Sequence, residues 1–454
     1  MITRHVLTLP GTGRRVHYRR CGAGPVLLMV HQSPRSSAEY SALMEQWGAH
    51  FTCVAPDTPG FGQSDPLPDE PEITDFADAL AEFLTTLGVQ RCAAYGFHSG
   101  GIILVTALKR HPQLFSCLAI GGYAIWTAEE MALFGTRYLP EFRLAPYGEH
   151  LTWLWNRMLE QSWFFPWFDV RDEARLSVAH ADVARVNQAV MEMLDAGDAY
   201  RAGYGAVLRA PRDIPPPDAA TPPVLITAYD GDPLQTHVDR LGAMPAGWLA
   251  AKVATPLEHQ ERSLAFLCEN AGEEPAPPLA EDPHEGWLNL DGRLVHWRGT
   301  RGAARMALHR PAAELAAPSE CDIAIDLPGH GLSDAFDDIP GTLRRAMAEL
   351  DAAELALPPL PRGDPDLLYP DLAPDRLAHR DVEADPGAGR AFLEDHRQHV
   401  AHERRVGIGS ALGPARSRRL AGIGVAQDRR ERVGARIRQI EKMPRHDRYP
   451  SGCR

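Results

Sequence analysis

A chain of 454 residues, 44% hydrophobic and 24% charged, has room for about two or three domains and a large buried core. No run approaches the roughly 20 apolar residues of a membrane helix, and the first residues lack an apolar stretch of signal-peptide length. The composition therefore argues against a membrane protein and favours a cytoplasmic location.

The net charge of −13 conceals a basic end. Residues 401–454 hold 14 Lys and Arg against 5 Asp and Glu, and their one aromatic residue is Tyr449. Nearly all of this positive charge is arginine, as it is throughout the chain, which weakens a nucleic-acid interpretation. We predict that 379–454 is an Arg-rich disordered tail, with a reading-frame artefact as an alternative and no nucleic-acid partner.

Cysteine spacing and glycine motifs bear on metals and cofactors. The cysteines show neither C-x-x-C spacing nor a dense cluster, so we expect buried free thiols without a zinc site or a disulfide framework. No G-x-G-x-x-G opens a helix after the first strand. We therefore expect no metal and no cofactor. The cysteines are Cys21, Cys53, Cys92, Cys117, Cys268, Cys321 and Cys453.

Strand and helix patterns alternate along the first 270 residues. Apolar runs at 26–30, 51–56, 91–97, 114–125 and 222–229 have the character of parallel strands buried on both faces. Helical patterns separate them, among them an amphipathic helix over 73–89 that Gly88 stops. This alternation predicts an α/β domain over 1–270.

Four motifs, in this order, resemble the α/β-hydrolase fold superfamily over about residues 13–268. They are His31 after a strand, DTPGFGQSD at 57–65, GFHSGG at 96–101 and AYDGDPL at 228–234. The resemblance implies a mainly parallel central sheet, a helical cap at about 126–212, and a catalytic elbow in the turn at 96–101.

The elbow leaves open which residue stands at its tip. In the superfamily the residues two before and two after the tip are small, because the strained turn passes close to its neighbours. With His98 at the tip these residues are Gly96 and Gly100, whereas with Ser99 at the tip the bulky Phe97 lies two before. The spacing therefore predicts His98 at the position where serine hydrolases carry serine.

Three interpretations of this elbow stay open. Ser99 acts as a nucleophile if its side chain turns into the pocket, or His98 acts as a general base or nucleophile, or the elbow is inactive. The resemblance implies an oxyanion site in a His-Gly-x-Pro loop, here His31 to Pro34 with Gln32 in place of glycine. Its expected donors are Ser33 and Gln32, with Gly100 in the first turn of the next helix.

The resemblance also implies an acid and a histidine. Asp232 matches the acid position after a late strand, with Asp230 as a close rival. His259 follows Asp232 at a spacing that suits the last triad member, although the usual Gly-His turn is lost or shifted. His237 is a weaker alternative for the catalytic histidine.

One segment of the expected cap is rich in aromatic residues. Between 151 and 169 the sequence reads LTWLWNRMLEQSWFFPWFD. A helix hairpin of this kind would line an apolar pocket above the elbow, although most of its rings are expected to form the core of the cap. The substrate is therefore expected to be small and largely apolar.

After a Pro-rich, acidic linker at 271–286 the sequence repeats itself. GRRVHYR at 13–19 recurs as GRLVHWR at 292–298, and APDTPGFGQSD at 55–65 recurs as AIDLPGHGLSD at 324–334. No second elbow follows. We predict an incomplete second hydrolase-like copy over 287–378 that has no active site.

These features together predict a cofactor-free hydrolase of a small apolar ester, lactone or related carbonyl compound. The alternative is a catalytically inactive protein that binds a small ligand or a partner through the same pocket. Haloalkane dehalogenases and epoxide hydrolases are disfavoured, because they carry aspartate in the elbow and none stands at 96–101. Fold analogy supports hydrolysis but does not identify the substrate.

Overall fold

The computed structural model describes residues 1–356, apart from 69, 135–136, 144, 146–147, 212, 280–281 and 310–321. The predicted tail at 379–454, and the end of the predicted second copy at 357–378, lie outside the described residues. Within the described chain, no helix combines the length and apolarity needed to cross a membrane.

An eight-stranded sheet forms the first part of the molecule, in the order β1-β2-β4-β3-β5-β6-β7-β8. The β1–β2 and β2–β4 pairs are antiparallel and the remaining pairs are parallel. This order confirms the predicted α/β fold with a mainly parallel sheet. The strands are β1 (Thr3–Thr8), β2 (Arg15–Cys21), β3 (Val26–Val30), β4 (Thr52–Pro56), β5 (Cys92–Phe97), β6 (Phe115–Gly121), β7 (Val224–Tyr229) and β8 (Trp248–Val253).

Helices accompany the sheet on both faces and between β6 and β7. The described helices of this part are α1 (Ser41–Trp47), α2 (Ile73–Thr86), α3 (Ser99–Arg110), α4 (Ala128–Phe134), α5 (Glu149–Gln161), α6 (Val183–Ala196), α7 (Ala199–Arg209) and α8 (Pro256–Asn270). Helices α4 to α7 fall within the range expected for a cap.

The period of two in the strands divides the core between the two faces. In β3, Leu28 packs with α2 and α3 on one face, whereas Leu27 and Met29 pack with α1 and α8 on the other. Both faces are buried, which explains why β3 and β4 have no polar alternation. The carboxyl ends of β3, β5 and β7 therefore open at one edge, where a site can form.

A second sheet follows, in the order β13-β11-β12-β10-β9. Its antiparallel and parallel pairs repeat, strand for strand, those of the first five strands of the larger sheet. Helix α9 (Ile339–Glu349) follows the loop sequence at 324–334, as α2 follows the equivalent sequence at 55–65. The strands are β9 (Glu285–Leu290), β10 (Arg293–Gly299), β11 (Arg305–Leu308), β12 (Asp322–Ile325) and β13 (Glu354–Ala356).

One buried His–Asp pair recurs in the two sheets. His17 Nδ1 lies 2.8 Å from Asp57 Oδ2, and His296 Nδ1 lies 2.9 Å from Asp326 Oδ2. Each histidine also donates its backbone N–H to a serine Oγ at 3.0 Å, that of Ser64 or Ser333. These matched contacts support the proposal that the second sheet is a partial copy of the first. Its first strand begins at Glu285, two residues before the expected boundary at 287.

The second sheet contacts β1 and β2 through paired charges. Arg4 donates to Asp334 at 3.1 Å, and Arg15 donates to Glu285. Arg4 pairs with Arg19 across β1 and β2, and Glu285 pairs with Arg298 across β9 and β10. Arg19 and Arg298 are equivalent in the repeat, so Arg4 and Glu285 hold equivalent positions and carry opposite charges.

The cysteine prediction was wrong at one position. Cys21, Cys53, Cys92 and Cys117 are buried and free, but Cys268 is exposed. Cys268 lies on α8, whose buried positions Ser263, Phe266 and Leu267 form the stripe that faces the sheet, and Cys268 falls outside it.

Glu285 joins the two sheets through hydrogen bonds. It accepts hydrogen bonds from Arg15 and from His296 Nε2, so Glu285→Gln should weaken this packing by about 1–3 kcal/mol. Hydrogen exchange over 285–308 should speed up accordingly. The control Asp291→Asn removes the exposed Arg345 pair and should have little effect. Equal effects of the two substitutions would contradict this account of the interface.

Candidate active site

The turn between β5 and α3 carries His98 in a backbone conformation that side chains rarely adopt. Its φ is +48° and its ψ is −111°, immediately before the first residue of the helix. Steric contacts require glycine two residues before and two residues after His98. A Cβ at Gly100 would lie 2.0 Å from the Val30 carbonyl oxygen. A Cβ at Gly96 would lie 2.8 Å from the carbonyl carbon of Gly100. His98 thus occupies the tip of the elbow.

The imidazole of His98 points toward the loop after β7. His98 Nε2 lies 3.0 Å from Asp232 Oδ1. The ring stacks on Phe97, with 4.2 Å between centroids and 26° between planes. About 23% of the His98 side chain is exposed, whereas the Asp232 side chain is fully buried. Two residues that lie 134 positions apart therefore form a dyad whose histidine faces solvent.

The surroundings of Asp232 keep its carboxylate charged. Burial alone would raise the pKa of Asp232, but His98 and the Leu234 backbone N–H, which donates to Oδ1 at 2.8 Å, bring this pKa below its ordinary value. Oδ2 is buried and accepts no hydrogen bond from a described residue. A carboxylate only accepts, so His98 Nε2 carries the proton of their hydrogen bond.

This tautomer leaves His98 Nδ1 with a free lone pair. No described residue makes a hydrogen bond to Nδ1. A neutral imidazole in this state can accept a proton at Nδ1 while Asp232 stabilises the resulting positive charge. The dyad therefore has the chemistry of a general base.

Ser99 lies next to His98 but faces another direction. Its side chain is buried, and its Oγ accepts a hydrogen bond of 2.5 Å from the backbone N–H of Ser33. The backbone N–H groups of Ser99 and Gly100 lie in the first turn of α3, where helical N–H groups have no acceptor in the helix. They can bind a negatively charged oxygen.

Two other expected site residues are held elsewhere. Gln32 donates both its side-chain amide, at 2.5 Å, and its backbone N–H, at 3.2 Å, to Glu39. Asp230 is exposed at the end of β7. Neither residue makes a hydrogen bond to the dyad in the described chain.

His259 also lies apart from the dyad. Its Nε2 is 2.9 Å from the Tyr95 hydroxyl and its Nδ1 is 2.6 Å from Thr227 Oγ1, so neutral hydroxyl groups occupy both ring nitrogens. Burial lowers the pKa of His259 to about 4. Helix α8 begins at Pro256, shortly after β8, and buries the His259 ring beside that of Phe97, with 5.7 Å between centroids, where it makes no hydrogen bond to His98 or Asp232.

His237 is likewise a buried histidine with structural contacts. It accepts the Ile125 backbone N–H at 2.8 Å on Nδ1, and its ring meets Trp126 edge-on at 4.7 Å. Burial lowers the pKa of His237 to about 4. His237 is therefore neutral near pH 7 and supports the aromatic wall beside the elbow.

Gly122 makes room for the dyad, and the sequence motifs did not single it out. It follows β6 with φ at +58°, and a Cβ there would lie 2.5 Å from His98 Cδ2 and 2.7 Å from Asp232 Oδ2. The Gly-Gly pair at 121–122, directly after an apolar strand, is the signal that could have pointed to a close approach at this edge.

The cap is tied to the loop that carries Ser33. Arg35 donates to Glu192 on α6, and Ser36 Oγ donates to the same carboxylate at 3.2 Å. The core of the cap packs around Phe61, whose ring lies 5.6 Å from the ring of His31. A movement of the cap would therefore also displace the loop that carries Ser33.

A family model described as alpha/beta hydrolase fold matches residues 25–134. This range contains the His31 loop and the elbow. Haloalkane dehalogenase 2 of Mycobacterium tuberculosis is 31% identical over 120 residues, which cover 26% of this chain and 42% of that protein. The match thus spans less than half of this curated relative.

Solved structures of similar fold cover a larger part of the chain. A hydrolase from Pseudomonas aeruginosa matches with 20% identity and a TM-score of 0.45, over 58% of this chain and 98% of the other. A thermophilic esterase from Thermogutta terrifontis matches with 18% identity and a TM-score of 0.43, over 59% of this chain and 97% of the other.

The depressed pKa of His259 predicts a loss of stability in acid. The unfolded chain protonates this histidine below about pH 6.5 and the folded chain only near pH 4, so the unfolding free energy falls as pH falls between these values. His259→Asn should reduce the drop between pH 7.5 and 4.5 by on the order of 2 kcal/mol in urea unfolding.

The exposed His50 provides a matched control for this measurement. His50→Asn replaces a histidine with the same residue, asparagine, at an exposed position and should leave the pH dependence of unfolding unchanged. An equal fall in unfolding free energy between pH 7.5 and 4.5 in wild type and in His259→Asn would contradict the conclusion that burial lowers the pKa of His259.

Proposed function

We propose that this chain, whose residues 25–134 carry the α/β hydrolase fold, is a hydrolase in which the His98–Asp232 dyad is the general base. The observation that carries the proposal is the 3.0 Å contact between His98, at the tip of the elbow, and the buried carboxylate of Asp232. The substrate is a small, largely apolar ester, lactone or related carbonyl compound.

In the proposed reaction His98 Nδ1 removes a proton from a water molecule. The water oxygen bonds to the carbonyl carbon of the substrate, and the carbonyl electrons move to the oxygen to form a tetrahedral oxyanion. The C–O bond to the leaving group then breaks, and the alkoxide takes the proton back from His98 Nδ1. Throughout, Asp232 accepts from Nε2 and stabilises the imidazolium.

The first turn of α3 supplies hydrogen-bond donors for this oxyanion. The N–H groups of Ser99 and Gly100 have no helical acceptor, and the positive end of the helix dipole favours a negative oxygen. Fixed donors of this kind stabilise the transition state more than the substrate.

Two observations favour His98 over the other elbow residues as the reacting group. Ser99 Oγ is buried against the Ser33 N–H, and no described histidine makes a hydrogen bond to it. Residues 96–101 contain no aspartate, so an aspartyl ester intermediate is unavailable at this elbow. Direct attack by water is the simplest chemistry for the remaining groups.

The aromatic cap supports an apolar substrate. Trp126 stacks on Phe165 at 5.9 Å and meets Phe134 edge-on at 4.8 Å, which forms an aromatic wall that reaches from His237 into the cap. Such a wall favours apolar groups and excludes water from the reacting carbonyl.

The second candidate function is ligand binding without turnover. It is favoured by the engagement of the Ser33 N–H with Ser99 Oγ, because a substrate carbonyl oxygen would have to compete with this hydroxyl. In this case the same pocket holds a small apolar ligand.

Substitution of the dyad separates these possibilities. In the full chain, with a panel of activated acyl esters and lactones, His98→Gln should lower kcat/KM by roughly 10²- to 10⁴-fold because the base is lost. Asp232→Asn should lower it by roughly 10²-fold or more because the tautomer is no longer fixed. Ser99→Ala should change kcat/KM by no more than a few-fold.

Fluorophosphonate labelling followed by peptide mapping provides an independent readout. The proposal predicts no adduct on Ser99, and His111→Gln, at the far end of the elbow helix, should retain full activity. Labelling of Ser99 together with loss of turnover in Ser99→Ala would identify a serine hydrolase instead. Ligand binding without turnover of any substrate would favour the second candidate.

A further inference from the structure

Arg157 is a buried cation without a counterion in the described part of the cap. It lies on α5 with 1% of its surface exposed. Its Nη1 donates to Gln161 Oε1 at 3.0 Å, whereas Nε and Nη2 have no hydrogen-bond partner among the described residues. The cap positions outside the described ranges, 135–136, 144 and 146–147, contain no acidic residue.

The groups around Arg157 are aromatic and donate hydrogen bonds. Its guanidinium carbon lies 5.0 Å from the ring centroid of Trp167 and 5.8 Å from that of Tyr200. Nearby, the hydroxyls of Tyr138 and Tyr204 are 2.9 Å apart, so one of them donates to the other, and the second O–H proton has no acceptor among the described residues. The cluster thus offers several donors and no carboxylate.

A cluster of this kind is poorly suited to a purely structural role. Burial of an unpaired charge costs free energy, and burial accordingly lowers the pKa of Arg157 while the guanidinium stays charged. The rings of Trp167 and Tyr200 offset part of this cost through cation–π contact. The N–H groups of two guanidinium nitrogens, Nε and Nη2, still lack an acceptor among the described residues, and a planar carboxylate matches their geometry.

Aromatic contacts lead from this cluster to His237. Tyr138 meets Phe165 edge-on at 6.1 Å, and Phe165 stacks on Trp126 at 5.9 Å. Trp126 in turn meets His237 edge-on at 4.7 Å. The ring contacts therefore extend from Tyr138 to His237.

We propose that Arg157 binds the carboxylate of the substrate, so that the substrate is an ester or lactone with a carboxylate at the end remote from the scissile carbonyl. This inference rests on the proposed function for the position of the carbonyl. The binding of the carboxylate itself is independent of turnover, so the two can be tested separately.

The test compares hexanoate with hexanamide, a neutral probe of the same length, by calorimetry on the full chain at pH 7.5. Wild type should bind hexanoate at least tenfold more tightly than hexanamide. Arg157→Met should lose this preference, and Arg157→Lys should retain part of it, because the charge stays but the paired donors are lost. His98→Gln should bind hexanoate within threefold of wild type.

Thermal unfolding without ligand separates binding from folding. Arg157→Met replaces an unpaired buried cation by an apolar chain of similar length and should raise the Tm. A lower Tm together with unchanged hexanoate preference would assign Arg157 a structural role and overturn the inference.

The remaining outcomes distinguish this inference from the proposed function. Loss of hexanoate binding in His98→Gln but not in Arg157→Met would place the anion at the elbow and overturn the Arg157 site alone. Carboxylate binding that depends on Arg157, without turnover of any ester, would support the Arg157 site and overturn the hydrolase proposal. Equal affinity of wild type for hexanoate and hexanamide would overturn the Arg157 site.

Discussion

The close approach between the elbow and the end of β3 is the constraint from which the rest of the site follows. A Cβ at Gly100 would lie 2.0 Å from the Val30 carbonyl oxygen, so the helix begins almost in contact with the strand. This contact fixes the tip of the turn, and His98 is the residue that stands there with φ at +48°. The orientation of the imidazole toward the late strands is a consequence of this backbone.

The position of His98 changes the usual division of roles in this fold. A hydrolase elbow ordinarily presents a nucleophile to a histidine from elsewhere in the chain, whereas here the elbow presents the histidine itself. Asp232 reaches it directly, and Gly122 leaves the space for both. In the proposed reaction no separate histidine is needed after β8, which agrees with a chain in which α8 begins at Pro256 and buries His259 among hydroxyl groups.

Much of the fold and part of the site could be predicted from the sequence. Apolar runs such as 26–30 specify buried parallel strands, and the glycines around His98 specify the tip of the elbow, because both are local constraints. The hydrogen bonding of His259 to Tyr95 and Thr227 instead of Asp232 could not be predicted, since chain spacing does not say which way a helix turns its side chains. The lack of a counterion at Arg157 likewise depends on tertiary packing.

The most direct test of the central claim is the tautomer of His98, measured by long-range ¹H–¹⁵N correlation in the full chain with His98→Gln for assignment. The account predicts that the neutral imidazole carries its proton on Nε2 and none on Nδ1, and that this preference is lost in Asp232→Asn. A proton on Nδ1, or a tautomer that is indifferent to Asp232→Asn, would contradict the dyad.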